Sequence, residues 1–559
     1  MLKIYPDIKE ENVIKSPLET VQVEVAKSGF YKGFNRFMVI ASKLLITALV
    51  LWAVLLPDKA SSVLSSASSS LLNIFNVYYI YVVTLFLIFC IVAAVVPAIG
   101  KLTLGNKNER PEFSNFSWFS MMFGAGMGIG LMVFSTAEPV WHFGENPEII
   151  NGNVAPHTFG AVQSTFRYSF LHYGLHPWGI YVVTGLSLAY FAHRYHLPLT
   201  IRSTLVPLFG KHLNGYTGHL LDITAIIATL LGIAVTIGYG INQLVAGFNE
   251  IAGIEWMKPS DSETDAPPIT AKSALLLALF LVMLLSIVSA ATGIGRGIRV
   301  LSNLNLSLSC LLLLFFSIFG PLLFLLELYG RALVDYLFFL PVISVEIFEL
   351  GTAAGDWQEH GTILYWAWWI AFAPFVGLFL ARISKGRTIR EFIMGAMLAP
   401  AAMCFVWITL LGGTAIHLEL SGLAAERIIH APISARLFET LNVLLADGLF
   451  KGFAQLVSIL TVTLILTFLI TSADSGILVL NTIMTGGENH VDLKHKIIWG
   501  LILSAVIAAL LISGSGSLEA LQKAMIMGAL PFSMVMILMC MALIKDIIRH
   551  TKTSDSDSL

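Results

Sequence analysis

Long apolar segments separated by short polar loops run through almost the whole chain. Each segment is close to the roughly 20 residues that a helix needs to cross the hydrocarbon core of a bilayer. The pattern predicts twelve membrane-spanning helices, numbered here spans 1 to 12, near 37–56, 77–100, 115–143, 160–192, 218–248, 271–291, 300–327, 361–381, 392–413, 452–482, 497–514 and 524–544.

Basic residues collect in every second loop, after spans 2, 4, 6 and 8. They are Lys101, Lys107, Arg110, Arg194, Arg202, Lys211, Arg296, Arg299, Arg382, Lys385, Arg387 and Arg390. Because cytoplasmic loops carry the excess of Lys and Arg, both termini are predicted to be cytoplasmic. The expected organisation is a tail at 1–36 without a signal-peptide pattern, a membrane domain at 37–546 and a tail at 547–559.

The composition agrees with a membrane protein and excludes several functions. Hydrophobic residues make up 56% of the chain and charged residues 12%, against about 25% charged residues in soluble domains. No basic face suggests a nucleic-acid partner. No nucleotide-binding glycine loop or catalytic carboxylate pair is visible, so neither an enzyme nor an organic cofactor is predicted. Four cysteines lie far apart in separate spans and fit neither disulfides nor a metal site: Cys90, Cys310, Cys404 and Cys540.

Span 8 has an unusual concentration of aromatic residues. It reads Tyr-Trp-Ala-Trp-Trp at 365–369 and continues with Phe372 and Phe375. Membrane tryptophans usually lie at the two interfaces, whereas rings carried into the span can form a box for a ligand cation. Each ring face attracts a quaternary ammonium group by about 0.5–2 kcal/mol. The alternative is tryptophan that packs or faces lipid.

Span 3 has glycine at every second position from Gly124 to Gly130. Each glycine disfavours a helix by about 1 kcal/mol relative to alanine, so the helix can open here. Unpaired backbone at membrane depth is tolerated where it lines a cavity. Close helix packing through small residues is the alternative.

Span 10 carries Thr471, Ser472, Asp474 and Ser475 in an otherwise apolar segment. Polar side chains at this depth are costly and indicate function. Hydroxyl and carbonyl oxygens suit a hard cation such as sodium. Hydroxyls that bond back to carbonyls of their own helix are the alternative.

Span 4 offers a second group of rings, Tyr173, Trp178 and Tyr181. At about 100° per residue, all three share one side of a continuous helix. They form a predicted wall opposite Trp368, Trp369 and Phe372.

These motifs together resemble the betaine/choline/carnitine transporter family, in order, over about residues 37 to 545. The resemblance rests on 123–132, Glu138-Pro139, Leu-His-Pro-Trp at 175–178, 365–369 with Pro-Phe-Val-Gly at 374–377, Ala-Arg-Ile-Ser at 381–384, Gly-Arg-Thr-Ile-Arg-Glu-Phe at 386–392, and Thr-Ser-Ala-Asp-Ser at 471–475.

The resemblance implies an all-α fold of twelve helices with two five-helix inverted repeats. Spans 3–7 (about 115–327) would form the first repeat and spans 8–12 (about 361–544) the second, with two peripheral helices. It also implies a homotrimer in a bacterial inner membrane, built through an amphipathic helix that 332–350 resembles.

The family's substrate site corresponds to Tyr173, Trp178, Tyr181, Trp369 and Phe372, with Trp368 beside it. Tyr173 and Phe372 stand where betaine carriers commonly have Trp, so the head-group preference stays open between ammonium and sulfonium. Backbone donors for a substrate carboxylate are expected at Ala125, Gly126, Gly128 and Gly130.

The resemblance also implies two sodium sites. One corresponds to Gly124, Met127, Phe468, Thr471 and Ser472. The other corresponds to Thr229 and Phe375, but a second threonine of the family is Ile233 here, which leaves the stoichiometry open, with Thr236 as a substitute. Span 5 lacks the Lys or Arg that sodium-independent exchangers carry.

The expected function is a sodium-coupled symporter for a small zwitterion, glycine betaine above all. The alternatives are a sodium-independent exchanger of the carnitine type, a choline or dimethylsulfoniopropionate carrier, and a substrate-gated sensor or channel. After span 12 only a few basic residues precede Asp555 and Asp557. Because a lipid-sensing switch takes about four to eight basic residues, transport is expected to respond little to osmotic shock, which fits nutrient uptake as well as osmoprotection.

Overall fold

Helices make up nearly all of the structure. The computed structural model describes residues 18, 21–106, 109–126, 128–254, 259–260, 269–270, 272–292, 299–446, 451–488, 492–512 and 517–556. In these ranges the α-helices are α1 (Arg36–Leu55), α2 (Pro57–Val95), α3 (Pro97–Gly100), α4 (Asn115–Gly126), α5 (Ile129–Gly144), α6 (Pro147–Ile150), α7 (Val162–Tyr173), α8 (Leu175–Ala189), α9 (Val206–Phe209), α10 (Tyr216–Ala252), α11 (Lys272–Thr292), α12 (Arg299–Phe319), α13 (Leu322–Ile343), α14 (Ala353–Gln358), α15 (Leu364–Ile383), α16 (Ile389–Ile393), α17 (Ala399–Leu420), α18 (Arg427–His430), α19 (Arg436–Leu444), α20 (Lys451–Met484), α21 (Leu493–Ile512) and α22 (Ser517–Ser556).

Shorter elements connect these helices. A pair of two-residue antiparallel strands, β1 (Pro259–Ser260) and β2 (Ile269–Thr270), precedes α11. Tighter or wider helical turns occupy Phe159–Ala161, Tyr190–Arg194, Arg202–Leu205, Gly210–Asn214, Glu359–Ile363 and Met394–Leu398.

Nine helical stretches within the described ranges are long and apolar enough to cross a membrane. They coincide with the predicted spans 1, 2, 5 to 10 and 12, and α21 lies where span 11 was predicted. The expectation of an all-helical polytopic membrane protein is confirmed.

Spans 3 and 4 are interrupted helices. Gly128 separates α4 from α5 in an extended conformation, with φ −143° and ψ −162°. Gly174 separates α7 from α8, with φ −95° and ψ −132°. The interruption predicted from the glycine pattern of span 3 is confirmed, whereas the prediction of a continuous helix through Tyr173, Trp178 and Tyr181 was wrong.

The start of span 2 and the end of span 7 also differ from the prediction, and a proline lies at each of these helix boundaries. Span 2 begins as α2 at Pro57, twenty residues before the expected start, because proline suits the first helical turn. Span 7 ends at Phe319, and Pro321 precedes a separate helix, α13. The linking helix therefore covers Leu322–Ile343 rather than 332–350.

A buried ion pair fixes α13 to α7. Arg167 donates from Nε to Asp335 Oδ2 at 2.7 Å and from Nη2 to Oδ1 at 3.0 Å. Its guanidinium lies 3.7 Å from the ring centroid of Phe339 and also pairs with Glu148 at 2.9 Å. The two-pronged geometry makes this a specific contact.

Asp335→Ala is expected to lower the thermal unfolding temperature of the detergent-solubilised protein. Removing Asp335 leaves the buried guanidinium of Arg167 with Glu148 as its remaining counter-charge, at a cost of up to about 3 kcal/mol. The matched control on the same helix is Glu327→Ala, whose pair with Arg331 has side chains 60% and 68% exposed and contributes about 0–1 kcal/mol. Equal unfolding temperatures for the two variants would contradict the structural role of the buried pair.

Two glycines, Gly185 and Gly377, bring α8 and α15 into close contact. A Cβ atom on Gly377 would lie 2.7 Å from Thr184 Cγ2 and 3.0 Å from the backbone nitrogen of Gly185. A Cβ atom on Gly185 would lie 3.3 Å from the carbonyl oxygen of Gly377. Larger residues would force the helices apart, so the two glycines set their separation.

Candidate functional site

A cavity of about 1020 Å³ lies between α8, α15, α10, α20 and the α4–α5 break. All six aromatic residues predicted for the substrate box line it: Tyr173, Trp178, Tyr181, Trp368, Trp369 and Phe372. Tyr173 reaches the cavity from the end of α7 and the other span 4 rings from α8. The six predicted rings thus line one cavity, although span 4, which carries three of them, is broken at Gly174.

Trp369 stands at the centre of the box. Its ring centroid lies 5.5 Å from that of Tyr173 and 6.1 Å from that of Tyr181, in both cases edge to face. Its Nε1 donates to the carbonyl of His172 at 2.9 Å. Its ring also stacks on that of Trp368, with centroids 5.2 Å apart. A tryptophan held by its N–H and packed against three rings keeps a fixed orientation at the cavity wall.

Trp368 is anchored from the other side. It is 2% exposed, which rules out the alternative of a lipid-facing ring. Its Nε1 donates to Thr236 Oγ1 at 2.9 Å, and its ring stacks on that of Tyr239 at 5.7 Å. Neither residue was predicted as a part of the box: Thr236 was considered only as a substitute sodium ligand, and nothing in the sequence pattern singles out Tyr239.

The helix break of span 3 borders the same cavity. Gly128 and Gly130 line it, and a Cβ atom on Gly130 would lie 3.5 Å from Trp368 Cη2. Gly124, Ala125 and Gly126 form the end of α4, but their surroundings, like Met127 altogether, lie outside the described residues.

The span 10 residues predicted for sodium lie opposite this break. Phe468, Thr471 and Ser472 all line the cavity. A Cβ atom added to Gly128 would be 3.7 Å from Ser472 Oγ. The three described ligands of the first predicted sodium site thus share one face of α20 toward the cavity.

Thr471 takes part in two kinds of hydrogen bond. Its hydroxyl donates to the carbonyl oxygen of Thr467 at 3.0 Å, and the carbonyl oxygen of Phe468 lies 3.1 Å away as a second acceptor. The same hydroxyl accepts a hydrogen bond from Asn305 Nδ2 at 3.0 Å. The back-bonding alternative is thus present in this structure. A hydroxyl has one proton and two lone pairs, so one lone pair remains for a cation.

Asp474 does not belong to the cavity wall. Its carboxylate accepts from Ser289 on α11 and from Ser475 Oγ at 3.0 Å. The carboxylate of Asp474 therefore links α20 to α11. The three hydroxyl residues of the segment, Thr471, Ser472 and Ser475, line the cavity instead.

The second predicted sodium position is less well assembled. Phe375 lines the cavity, whereas Thr229 is not among the lining residues. The hydroxyl of Thr229 is fully buried, and no hydrogen-bond partner is found for it within the described residues. Thr236, the substitute considered for the missing threonine, holds Trp368 instead.

The cavity extends from the box toward the basic loops. Phe113, Ser302 and Arg382 line this part. Among the described lining residues Arg382 alone carries a full charge, and no carboxylate is present. The cavity therefore offers a permanent cation no acidic counter-ion, but offers it ring faces.

A buried group of one acid and two histidines lies behind the cavity wall that Trp368 and Trp369 form. Glu138 Oε1 accepts from His142 Nε2 at 3.0 Å and from His172 Nδ1 at 2.6 Å. The three ligand atoms lie within 4.8 Å of one another, a donor set that zinc-type ions accept, although here they bond to each other. A charged residue at membrane depth is itself a signal of function, so Glu138 could have been singled out in the sequence, although its partner His172 lies on another helix.

Comparison with known proteins agrees with the geometry. A profile of betaine/carnitine/choline family transporters matches residues 37–552. The glycine betaine transporter OpuD of Bacillus subtilis is 36% identical over 505 residues, 90% of this chain and 93% of OpuD. A glycine betaine/proline/choline transporter of Vibrio parahaemolyticus is 34% identical over 473 residues, 82% of this chain and 80% of that protein.

A longer relative shows the same similarity over part of its length. An uncharacterized transporter of Haemophilus influenzae is 39% identical over 461 residues, which are 82% of this chain and 64% of that protein. The family profile covers nearly all of the membrane region described above. The chain therefore belongs to the betaine/carnitine/choline family of transporters.

Proposed function

We propose that this protein is a secondary transporter that imports a small quaternary-ammonium zwitterion, glycine betaine above all, together with sodium. The observation that supports it most is the single cavity, in which the aromatic box, the Gly128 break and the span 10 hydroxyls face one another. A zwitterion places its ammonium group against ring faces and its carboxylate near backbone donors freed by a broken helix.

The substrate proposal also draws on the relatives. The protein from Bacillus subtilis is named a glycine betaine transporter, and the one from Vibrio parahaemolyticus a glycine betaine/proline/choline transporter. Tyr173 and Phe372 keep a ring face at their positions, so a sulfonium zwitterion remains a second candidate substrate.

The proposed architecture is twelve membrane crossings in two inverted repeats, in a bacterial inner membrane with both termini cytoplasmic. Nine continuous stretches, the two interrupted helices and α21 together supply twelve crossings. The cavity extends toward the basic loops, so this conformation is inward-facing in the proposed orientation. A homotrimer through α13 completes the proposal, and the apolar Leu323 and Phe338 on that helix are 85% and 75% exposed.

We expect glycine betaine to compete for uptake far better than choline. Choline brings a cation without a carboxylate, so it leaves the backbone donors at the helix break unmatched, and the described cavity wall has no acid to balance it. The measurement is inhibition of labelled betaine uptake into proteoliposomes by each compound. Equal inhibition by choline and betaine would contradict a zwitterion site.

Counterflow of labelled betaine in the same vesicles, with and without sodium, tests the coupling. A symporter accumulates label only when sodium is present on the side of uptake. Exchange at full rate without sodium would identify an exchanger, and flux that never exceeds equilibration would identify a channel or sensor.

A further inference from the structure

Glu138 is a buried carboxylate just outside the cavity. It is 2% exposed and is not among the residues that line the cavity. It lies on α5, with His142 one turn further on the same helix. A carboxylate at this depth needs partners that compensate for its lost hydration.

Two of its partners belong to elements that carry the box. Tyr365 on α15 donates its hydroxyl to Glu138 Oε2. His172 on α7 donates from Nδ1 to Oε1 at 2.6 Å and accepts from Thr362 at its Nε2 at 2.9 Å. The imidazole stacks on the phenol of Tyr365 with centroids 4.7 Å apart and an interplanar angle of 21°. One carboxylate thus holds two stacked rings together.

Both rings lie directly behind the box. Tyr365 stacks on Trp368 and lies against Trp369, in each case with centroids 6.0 Å apart. Its hydroxyl is 3.4 Å from that of Tyr173. His172 supplies the carbonyl that holds the indole N–H of Trp369 at 2.9 Å. The hydrogen bonds that lead from Glu138 to the box rings therefore run through Tyr365 and His172.

We propose that Glu138 is a positioning residue, which sets the aromatic wall of the substrate box through Tyr365 and His172. The inference rests on the proposed function only in taking the box as the substrate site. An ionised carboxylate accepts all of these hydrogen bonds at once. An amide has a single acceptor oxygen and adds two donors, so Glu138→Gln sets a donor against a donor at one or more partners.

Tyr365→Phe is the sharper test because it keeps the ring and removes only the hydroxyl. Loss of a hydrogen bond to a charged group corresponds to roughly a tenfold change in an equilibrium constant. We expect both Tyr365→Phe and Glu138→Gln to raise the dissociation constant of glycine betaine by about that factor, with the maximal uptake rate per reconstituted transporter changed much less. A general folding defect would lower the maximal rate instead.

A double-mutant cycle gives a readout that an indirect structural effect does not produce. If both substitutions act through the same bond, their effects do not add. The dissociation constant of the double variant then equals about the larger of the two single-variant values. The control is Tyr79→Phe, which removes another buried hydroxyl, bonded to the carbonyl of Ile526 at 2.7 Å away from the box. It is expected to bind like the unsubstituted protein.

Binding is measured by tryptophan fluorescence on the purified full-length chain, with glycine betaine and choline in turn, and uptake in parallel. Absence of sodium-driven uptake by the unsubstituted protein would overturn the proposed function, and binding would still report on Glu138. Unchanged binding in Tyr365→Phe, or multiplying effects in the double variant, would overturn the positioning role.

Discussion

Trp369→Ala abolishes saturable uptake of glycine betaine, the largest effect that we expect from a single substitution. Trp369 is the ring that contacts both Tyr173 and Tyr181. Its removal takes away one desolvated cation–π face, worth about 2 kcal/mol, and one edge-to-face contact from each of these two tyrosines. Trp178→Ala, at the edge of the box, is expected to raise KM strongly and to leave measurable transport.

The control for this experiment is a tryptophan away from the cavity. Trp52 lies on α1 and is not a lining residue, so Trp52→Ala should transport with the original KM. Initial rates over a range of betaine concentrations, normalised to the amount of reconstituted protein, supply the comparison. If Trp369→Ala and Trp178→Ala both kept the original KM, the box would have been placed wrongly.

The double substitution Thr471→Ala with Ser472→Ala should raise the sodium concentration for half-maximal uptake at least tenfold. Two hydroxyl oxygens would be lost from a hard cation that takes only oxygen ligands. The remaining ligands of the proposed site would be backbone carbonyls. Betaine binding in the absence of sodium should change little, which separates an ion effect from a damaged box.

Thr463→Ala is the matched control on the same helix. The hydroxyl of Thr463 donates to the carbonyl of Ile459 at 2.8 Å, and the residue does not line the cavity. It removes a back-bonded hydroxyl without touching the proposed ion site. The same sodium activation curve for the double variant and for this control would refute the site.

The family was predictable from sequence because several of its motifs occur in order along the chain, and the box rings because span 8 concentrates tryptophan inside a membrane span and the resemblance names the rings of span 4. All six predicted rings line one cavity, and membership in a transporter family, rather than an enzyme family, is confirmed. The roles of individual site residues in binding stay predictions.

What sequence reasoning missed depends on contacts between distant segments. The break at Gly174 is a single glycine without the repeated pattern of span 3, so the sequence predicts one helix where the structure has α7 and α8. Thr236 and Tyr239 act on Trp368 from another helix, and threonine and tyrosine in a span are usually packing residues. Glu138 belongs to a quoted motif, but its partners become visible only when α7 and α15 are brought beside it.

The close glycine contact between α8 and α15 has a thermodynamic consequence for the proposed transport cycle. Those helices carry facing walls of the box, so their separation sets how tightly the rings hold the head group. A tighter box lowers the substrate concentration that transport needs but adds nothing to the final gradient, which comes entirely from the driving ions. With two sodium ions and a neutral zwitterion, the membrane potential supplies about 4.6 kcal/mol per 100 mV, which corresponds to roughly a thousandfold gradient; with one ion it supports only about the square root of that ratio.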